Sequence, residues 1–200
     1  MLRVADRVFT ELGFDRASMN TIAATCGVSK PMLYAYFGSK EGLFAACGVA
    51  AGDELREQVR RAAGDESAGP EELLWRGLKV IFARIGETRD VWVQLYPPDG
   101  PAPSGALGAR AAINRAAMTE LVAQLMRDAA IRGGISEPAV DHLAPFAHAL
   151  VGAVVGIAGW WMKHPEESAQ LQALRAMNFV WRGLEQLQNG ELWLPEANAT

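Results

Sequence analysis

The stretch Val28-Ser29-Lys30-Pro31-Met32-Leu33-Tyr34-Ala35-Tyr36-Phe37 follows a short amphipathic segment, Ser18 to Cys26, across a Cys26-Gly27-Val28 turn. Two short helices joined by a tight Gly turn form a helix-turn-helix, a unit whose second helix can enter a DNA major groove. Ser18 and Ser29 stand where the two helices need N-caps. Gly27 supplies the sharp turn, because only Gly reaches positive φ without strain. Pro31 falls in the first turn after Ser29, where a missing N–H is tolerated. Ile22, Ala23 and Cys26 share one helix face, and Leu33 and Phe37 share the next. These faces can meet in a small core with Phe9, Leu12 and Phe14. Ser39 then caps a further helix that starts at Lys40-Glu41.

With Leu33 and Phe37 inward, the remaining side chains point out. Lys30 can reach guanine acceptors or a phosphate, and Pro31, Met32 and Ala35 can contact a thymine methyl. Tyr34, Tyr36 and Lys40 can contact phosphates, and Ser18, Thr21 and Ser29 stand at helix starts that attract them. A helical hairpin with solvated polar residues would show the same spacing.

The run Phe9…Gly13-Phe14…Ser18-Met19-Asn20-Thr21-Ile22-Ala23…Gly27-Val28-Ser29-Lys30-Pro31…Leu33-Tyr34…Tyr36-Phe37…Ser39-Lys40-Glu41…Leu43-Phe44 resembles the N-terminal domain of the tetracycline-repressor (TetR) family. The resemblance covers about the first 48 residues. It implies an all-helical homodimer that binds operator DNA and releases it when a small molecule enters the C-terminal domain. It also implies that Ser29, Lys30, Pro31, Tyr34, Tyr36 and Lys40 occupy positions that commonly touch DNA. Family members usually carry several further residues ahead of the first helix, often with a phosphate-contacting side chain. Here the helix begins at Leu2-Arg3-Val4-Ala5, so either the true start lies upstream or that contact is lost, and the second alternative implies low DNA affinity.

The expected fold class is all-α. A three-helix DNA-binding domain spans residues 1–48, with its motif at about 18–37, and a helical ligand-binding and dimerisation domain spans 49–200. Half of the 200 residues are hydrophobic and the net charge is −4. The first 48 residues hold five Lys or Arg against four Asp or Glu, so the acid lies elsewhere but the reading head is nearly neutral. Phosphate attraction must come from local placement and helix dipoles, with binding strongest at moderate salt. The N-terminus enters an amphipathic helix directly, with no secretion signal. The only two cysteines, Cys26 and Cys47, read as free thiols in a reducing cytoplasm.

Beyond the head, helices are predicted over Lys40–Ala63, after Pro70 with Leu74, Leu78, Ile81 and Ile85 on one face, over Arg89–Tyr96 and over Ser104–Arg132. The Pro97–Pro103 segment is a firm break. Gly133-Gly134 ends one helix and Pro138 opens the next. Leu143 to Met162 holds no Asp, Glu, Lys or Arg and is long enough to span a bilayer. A helix apolar all round can equally be buried in protein, and the DNA-reading head favours that. With the following helix, about Glu166–Leu187, it can form a four-helix dimer interface through Gly152, Gly156, Leu174, Met177, Trp181 and Leu184. A two-fold dimer places two reading helices on successive major grooves of a palindromic operator, about 34–36 Å apart or a multiple of it.

Six Trp suggest an effector chamber. Its candidate walls are Trp75, Phe82, Trp92, Tyr96, Met118, Phe146, Trp160 and Trp181, with His148 and Asn114 as placed polar groups. The implied effector is bulky and mainly apolar or aromatic, with a cation over a Trp face as one form. Plain core packing is the competing account of these residues. No catalytic or metal signature is present: His142, His148 and His164 lack the spacing of a helical metal pair, and there is no phosphate loop. No cofactor is expected. The other classes are a helical scaffold without DNA binding and a membrane-associated helical protein.

Overall fold

The computed structural model describes residues 1–134 and 143–188, with side chains to 183 in the last helix. Its regular elements are all helices: α1 (Leu2–Leu12), α2 (Met19–Cys26), α3 (Lys30–Phe37), α4 (Lys40–Ala63), α5 (Pro70–Glu87), α6 (Arg89–Leu95), α7 (Gly105–Arg132), α8 (Ala144–Met162) and α9 (Ala169–Gln188). Three serines start the head's helices. Ser18, Ser29 and Ser39 Oγ accept from the backbone N–H of Thr21, Met32 and Gly42 at 3.0, 3.3 and 3.0 Å. Gly27 adopts φ 68°, ψ 29°, the left-handed turn the motif requires. Pro138, Asp141 and His142 lie outside the described residues. α9 starts three residues later than the predicted Glu166, because Glu167 closes a turn on the His164 carbonyl at 3.2 Å and Ser168 Oγ caps Leu171 N–H at 3.2 Å.

The α1–α4 core is small and aromatic. Ala5, Phe9, Ile22, Leu33, Leu43 and Phe44 are buried, with Leu12, Phe14 and Phe37 packed against them. The Phe44 ring meets Phe9 and Phe14 edge-on, each at 5.0 Å between centroids. Two residues of α7, Ala106 and Leu107, also pack on this core. A boundary at residue 48 therefore falls inside one uninterrupted helix, and the head is packed against the rest of the chain rather than hung from it.

Cys47 belongs to this core. Its thiol points at the Leu2 carbonyl, 3.4 Å away, and burial pushes it up to about 12, with the nearby Asp6 charge adding to the rise. Native protein at pH 8 should therefore give at most one fast thiol with a disulfide reagent, from Cys26, and two after unfolding. Two fast thiols in the native state would contradict this burial.

The larger core joins α5, α7, α8 and α9 through Leu78, Phe82, Ile85, Val122, Val154, Trp161, Ala173 and Ala176. Trp161 Nε1–H donates to the Glu167 carbonyl at 2.8 Å. Arg89 donates to the Trp161 carbonyl at 2.8 Å, and its guanidinium carbon lies 4.4 Å from the indole centroid.

Candidate DNA-reading face and effector cavity

Leu33, fully buried, anchors α3 and turns its other side outward. Ser29, Lys30, Pro31, Met32, Tyr34, Ala35 and Tyr36 are exposed, as are Ser18 and Thr21 at the start of α2. Tyr36 is the most open aromatic of the group, at 67% exposure. The Ser18 and Ser29 oxygens are engaged as caps, and the Ser18 hydroxyl also shares a hydrogen bond with the Thr21 hydroxyl at 2.8 Å, while the Ser29 hydroxyl hydrogen remains available to an acceptor such as phosphate. Lys40 is half-buried at the start of α4. Its ammonium donates to the Asp15 carbonyl at 3.2 Å and lies 4.5 Å from the Phe14 ring centroid. One of its three N–H donors is used by that carbonyl, which leaves two for a phosphate.

A cavity of about 480 Å³ opens among α4, α5, α6, α7 and α8, with Asp6 and Thr10 of α1 on its wall. Its sides are aliphatic, including Leu55, Val59, Leu74, Ile81, Leu125 and Val154. Of the candidate chamber residues, Trp92, Tyr96, Asn114, Met118 and Trp181 line it. Trp75, Phe82, Phe146, His148 and Trp160 do not. Phe82 is spent on the core, its ring 6.2 Å from Trp161. Trp75 is half-buried beside the Lys79 ammonium, 5.2 Å from its ring. Phe146 is half-buried and His148 exposed at the start of α8. Trp160 stands outside, stacked on His164 at 3.7 Å with the Arg175 guanidinium 4.9 Å from its ring.

The cavity also holds cations that apolar patterning does not mark: Arg56, Arg84, Arg110 and Arg115. Arg110 is only 3% exposed. Its Nη2 pairs with Asp6 Oδ1 at 3.1 Å, and its guanidinium carbon sits 4.5 Å from the Phe44 ring centroid. Arg56 pairs with Asp53. Tyr96 donates to the Ala111 carbonyl at 3.1 Å, and burial raises the phenol's pKa. The one available sequence signal was two arginines and an asparagine set in the Ala-rich run of α7.

α8 and α9 leave an apolar surface uncovered. Only 33% of the apolar span of α8 is buried, and this helix is long and apolar enough to cross a membrane. Gly152 and Gly156 face open space. Trp160, Leu171, Leu174 and Phe179 are exposed, Phe179 at 73%. Two candidates for a dimer interface lie elsewhere: Met177 is in the core, since its position on α9 faces α5, and Trp181 turns into the cavity. The side chain of Leu184 lies outside the described residues. Among the described residues no group of His, Cys, Asp and Glu could hold a metal ion.

Residues 1–47 match the family described as bacterial regulatory proteins, tetR family. The chain is 30% identical over 136 residues to the HTH-type transcriptional regulator UidR of Escherichia coli K12, covering 68% of this chain and 67% of that protein. Coverage of the curated relatives' own length runs from 28% to 67%. Among solved structures it is similar to a TetR-like transcriptional regulator from Rhodococcus sp. RHA1, at 33% identity and TM-score 0.61, covering 92% of this chain and 93% of that one. The same fold recurs in Thermus thermophilus FadR, a repressor in complex with lauroyl-CoA, at 20% identity and TM-score 0.62, covering 100% and 96%. With a serine-capped reading helix at one end and a walled cavity at the other, the chain belongs to the TetR family of transcriptional regulators.

Proposed function

We propose that this chain is a cytoplasmic homodimeric repressor that leaves a palindromic operator when a bulky, mainly apolar small molecule fills the cavity. The observation that carries the reading is a shared wall. Asp6 and Thr10 of α1 and Ala51 to Val59 of α4 line the cavity, so the elements that would enclose an effector also carry the reading helix. The lauroyl-CoA of Thermus thermophilus FadR makes a long acyl chain a concrete candidate. The exposed apolar surface of α8 and α9 is assigned to a second copy rather than a bilayer, since the chain's relatives are DNA-binding regulators.

The test is a titration of fluorescent duplexes from the DNA flanking the chain's own gene, at several salt concentrations. Specific binding should weaken steeply with salt, because displaced counterions drive it. Lys30→Ala should cost on the order of tenfold or more, the worth of one good base or phosphate contact. Binding that ignores both salt and Lys30 would overturn the reading in favour of a helical scaffold.

A further inference from the structure

We propose that this chain recognises its operator chiefly through the C5-methyl groups of thymine, which Pro31, Met32 and Ala35 of α3 read by apolar contact in the major groove. Hydrogen-bond readout of bases is left to the margins of the helix. The inference rests on the reading of α3 as the helix that meets DNA.

Leu33 is fully buried and fixes the rotation of α3. With successive residues about 100° apart, Pro31 and Ala35 stand about 160° from Leu33, one on either side, and form the centre of the outward face. Met32 stands about 100° from Leu33 on the side of Ala35, and Tyr34 about 100° on the side of Pro31. All four are exposed, Met32 at 40% and Tyr34 at 43%. Lys30 and Tyr36 sit nearer the buried side, each about 60° from Leu33. The Lys30 ammonium lies 6.0 Å from the Tyr34 ring centroid, so it leans along that flank rather than across the centre.

The centre of this face has almost nothing with which to read a hydrogen-bond pattern. Pro31 has neither a backbone N–H nor a polar side chain, Ala35 offers a methyl, and the Met32 thioether is at most a weak acceptor. Among the features that base pairs present in the major groove, the thymine methyl is the one that apolar contact favours. The others are donors and acceptors that an apolar side chain leaves unpaired. Such a face gains where thymine lies beneath it and loses where cytosine does, because the cytosine amino group would be covered without an acceptor. Ala35 is small and the Pro31 ring is compact, so the helix can come close enough for the contact. Lys30 and the tyrosine hydroxyls, at the flanks, are placed for phosphates or for a base at the helix's first turn.

The test uses the full chain and the shortest duplex that it protects from nuclease within the DNA flanking its own gene, with affinity read by anisotropy. Deoxyuridine in place of a single thymine removes one methyl and keeps every donor and acceptor. At one or more half-site thymines it should weaken binding about fourfold, the worth of one carbon taken out of water. At such a position, cytosine paired with guanine should weaken binding about fivefold or more, the scale of one wrong base pair. There 5-methylcytosine restores the methyl but not thymine's hydrogen-bonding edge, and it should recover about fourfold of that loss. Met32→Ala or Ala35→Gly should make at least one sensitive thymine indifferent to its methyl. Lys30→Ala should weaken thymine and deoxyuridine duplexes by the same factor. Deoxyuridine without effect at every thymine, or 5-methylcytosine no better than cytosine, would overturn the proposal. So would an unchanged methyl dependence in both Met32→Ala and Ala35→Gly, which would mark DNA shape rather than contact. A chain that protects no duplex would overturn the DNA reading as well, whereas salt-dependent binding indifferent to methyls would overturn the methyl readout alone.

Discussion

Gly48→Ala is expected to destabilise the chain by about 3–5 kcal/mol, the combined scale of overpacking a filled site and disturbing a buried ion pair. Inside an exposed helix the same change stabilises by roughly 0.5–1 kcal/mol, because alanine surrenders less backbone entropy than glycine. The sign reverses here because of one neighbour. The added methyl would sit 2.3 to 2.5 Å from Nε, Cδ and Cγ of Arg110. That side chain has little room to yield: Asp6 holds its end and the Phe44 ring lies against its guanidinium. A double-mutant cycle isolates the cause. In an Arg110→Ala background the clash is gone, so Gly48→Ala should become neutral or stabilising by up to about 1 kcal/mol. Urea denaturation of the four proteins reads this directly. The same penalty in both backgrounds would mean that Gly48 serves something other than the approach of α7.

The reading head was legible because its signals are local. A serine cap, a left-handed glycine and a proline in a first turn act within a few residues of sequence, so Ser18, Ser29, Gly27 and Pro31 could be placed without knowing what lies across from them. The cavity was legible only in part. Aromatic content cannot tell a core ring such as Phe82 from a surface ring such as Trp160 or a wall ring such as Trp92, since that depends on which face of a helix meets which neighbour. Arg110 was missed for a related reason. Its burial depends on Asp6, 104 positions earlier, and on the gap Gly48 leaves in another helix. Lys40 shows the same limit at the head, where spacing alone gave no sign of its bond to the Asp15 carbonyl in the loop after α1.

Leu174→Asp combined with Phe179→Asp should convert the protein to a monomer and lower operator affinity by roughly 10²–10⁴-fold, the usual worth of tethering two binding events. The two side chains are 47% and 73% exposed, so the change removes little packing within one chain. They share the uncovered surface with Trp160 and with Gly152 and Gly156, whose bare backbones admit close approach by another helix. Apolar patches of this kind mark interaction sites. The head raises the stakes, because it is nearly neutral and a single copy has few charges with which to hold DNA. Two copies on a two-fold axis supply a second reading helix at no further cost in rotational freedom, one helical turn or a multiple of it along the duplex. Sedimentation gives the oligomeric state, and anisotropy against full and half operators gives the coupling. Wild type on a half-operator should bind about as weakly as the double variant on the full site, and the variant's salt dependence should be about half as steep, since half the phosphate contacts remain. A variant that stays dimeric would move the interface off α8 and α9, and a monomer with full affinity would remove the need for a dimer altogether.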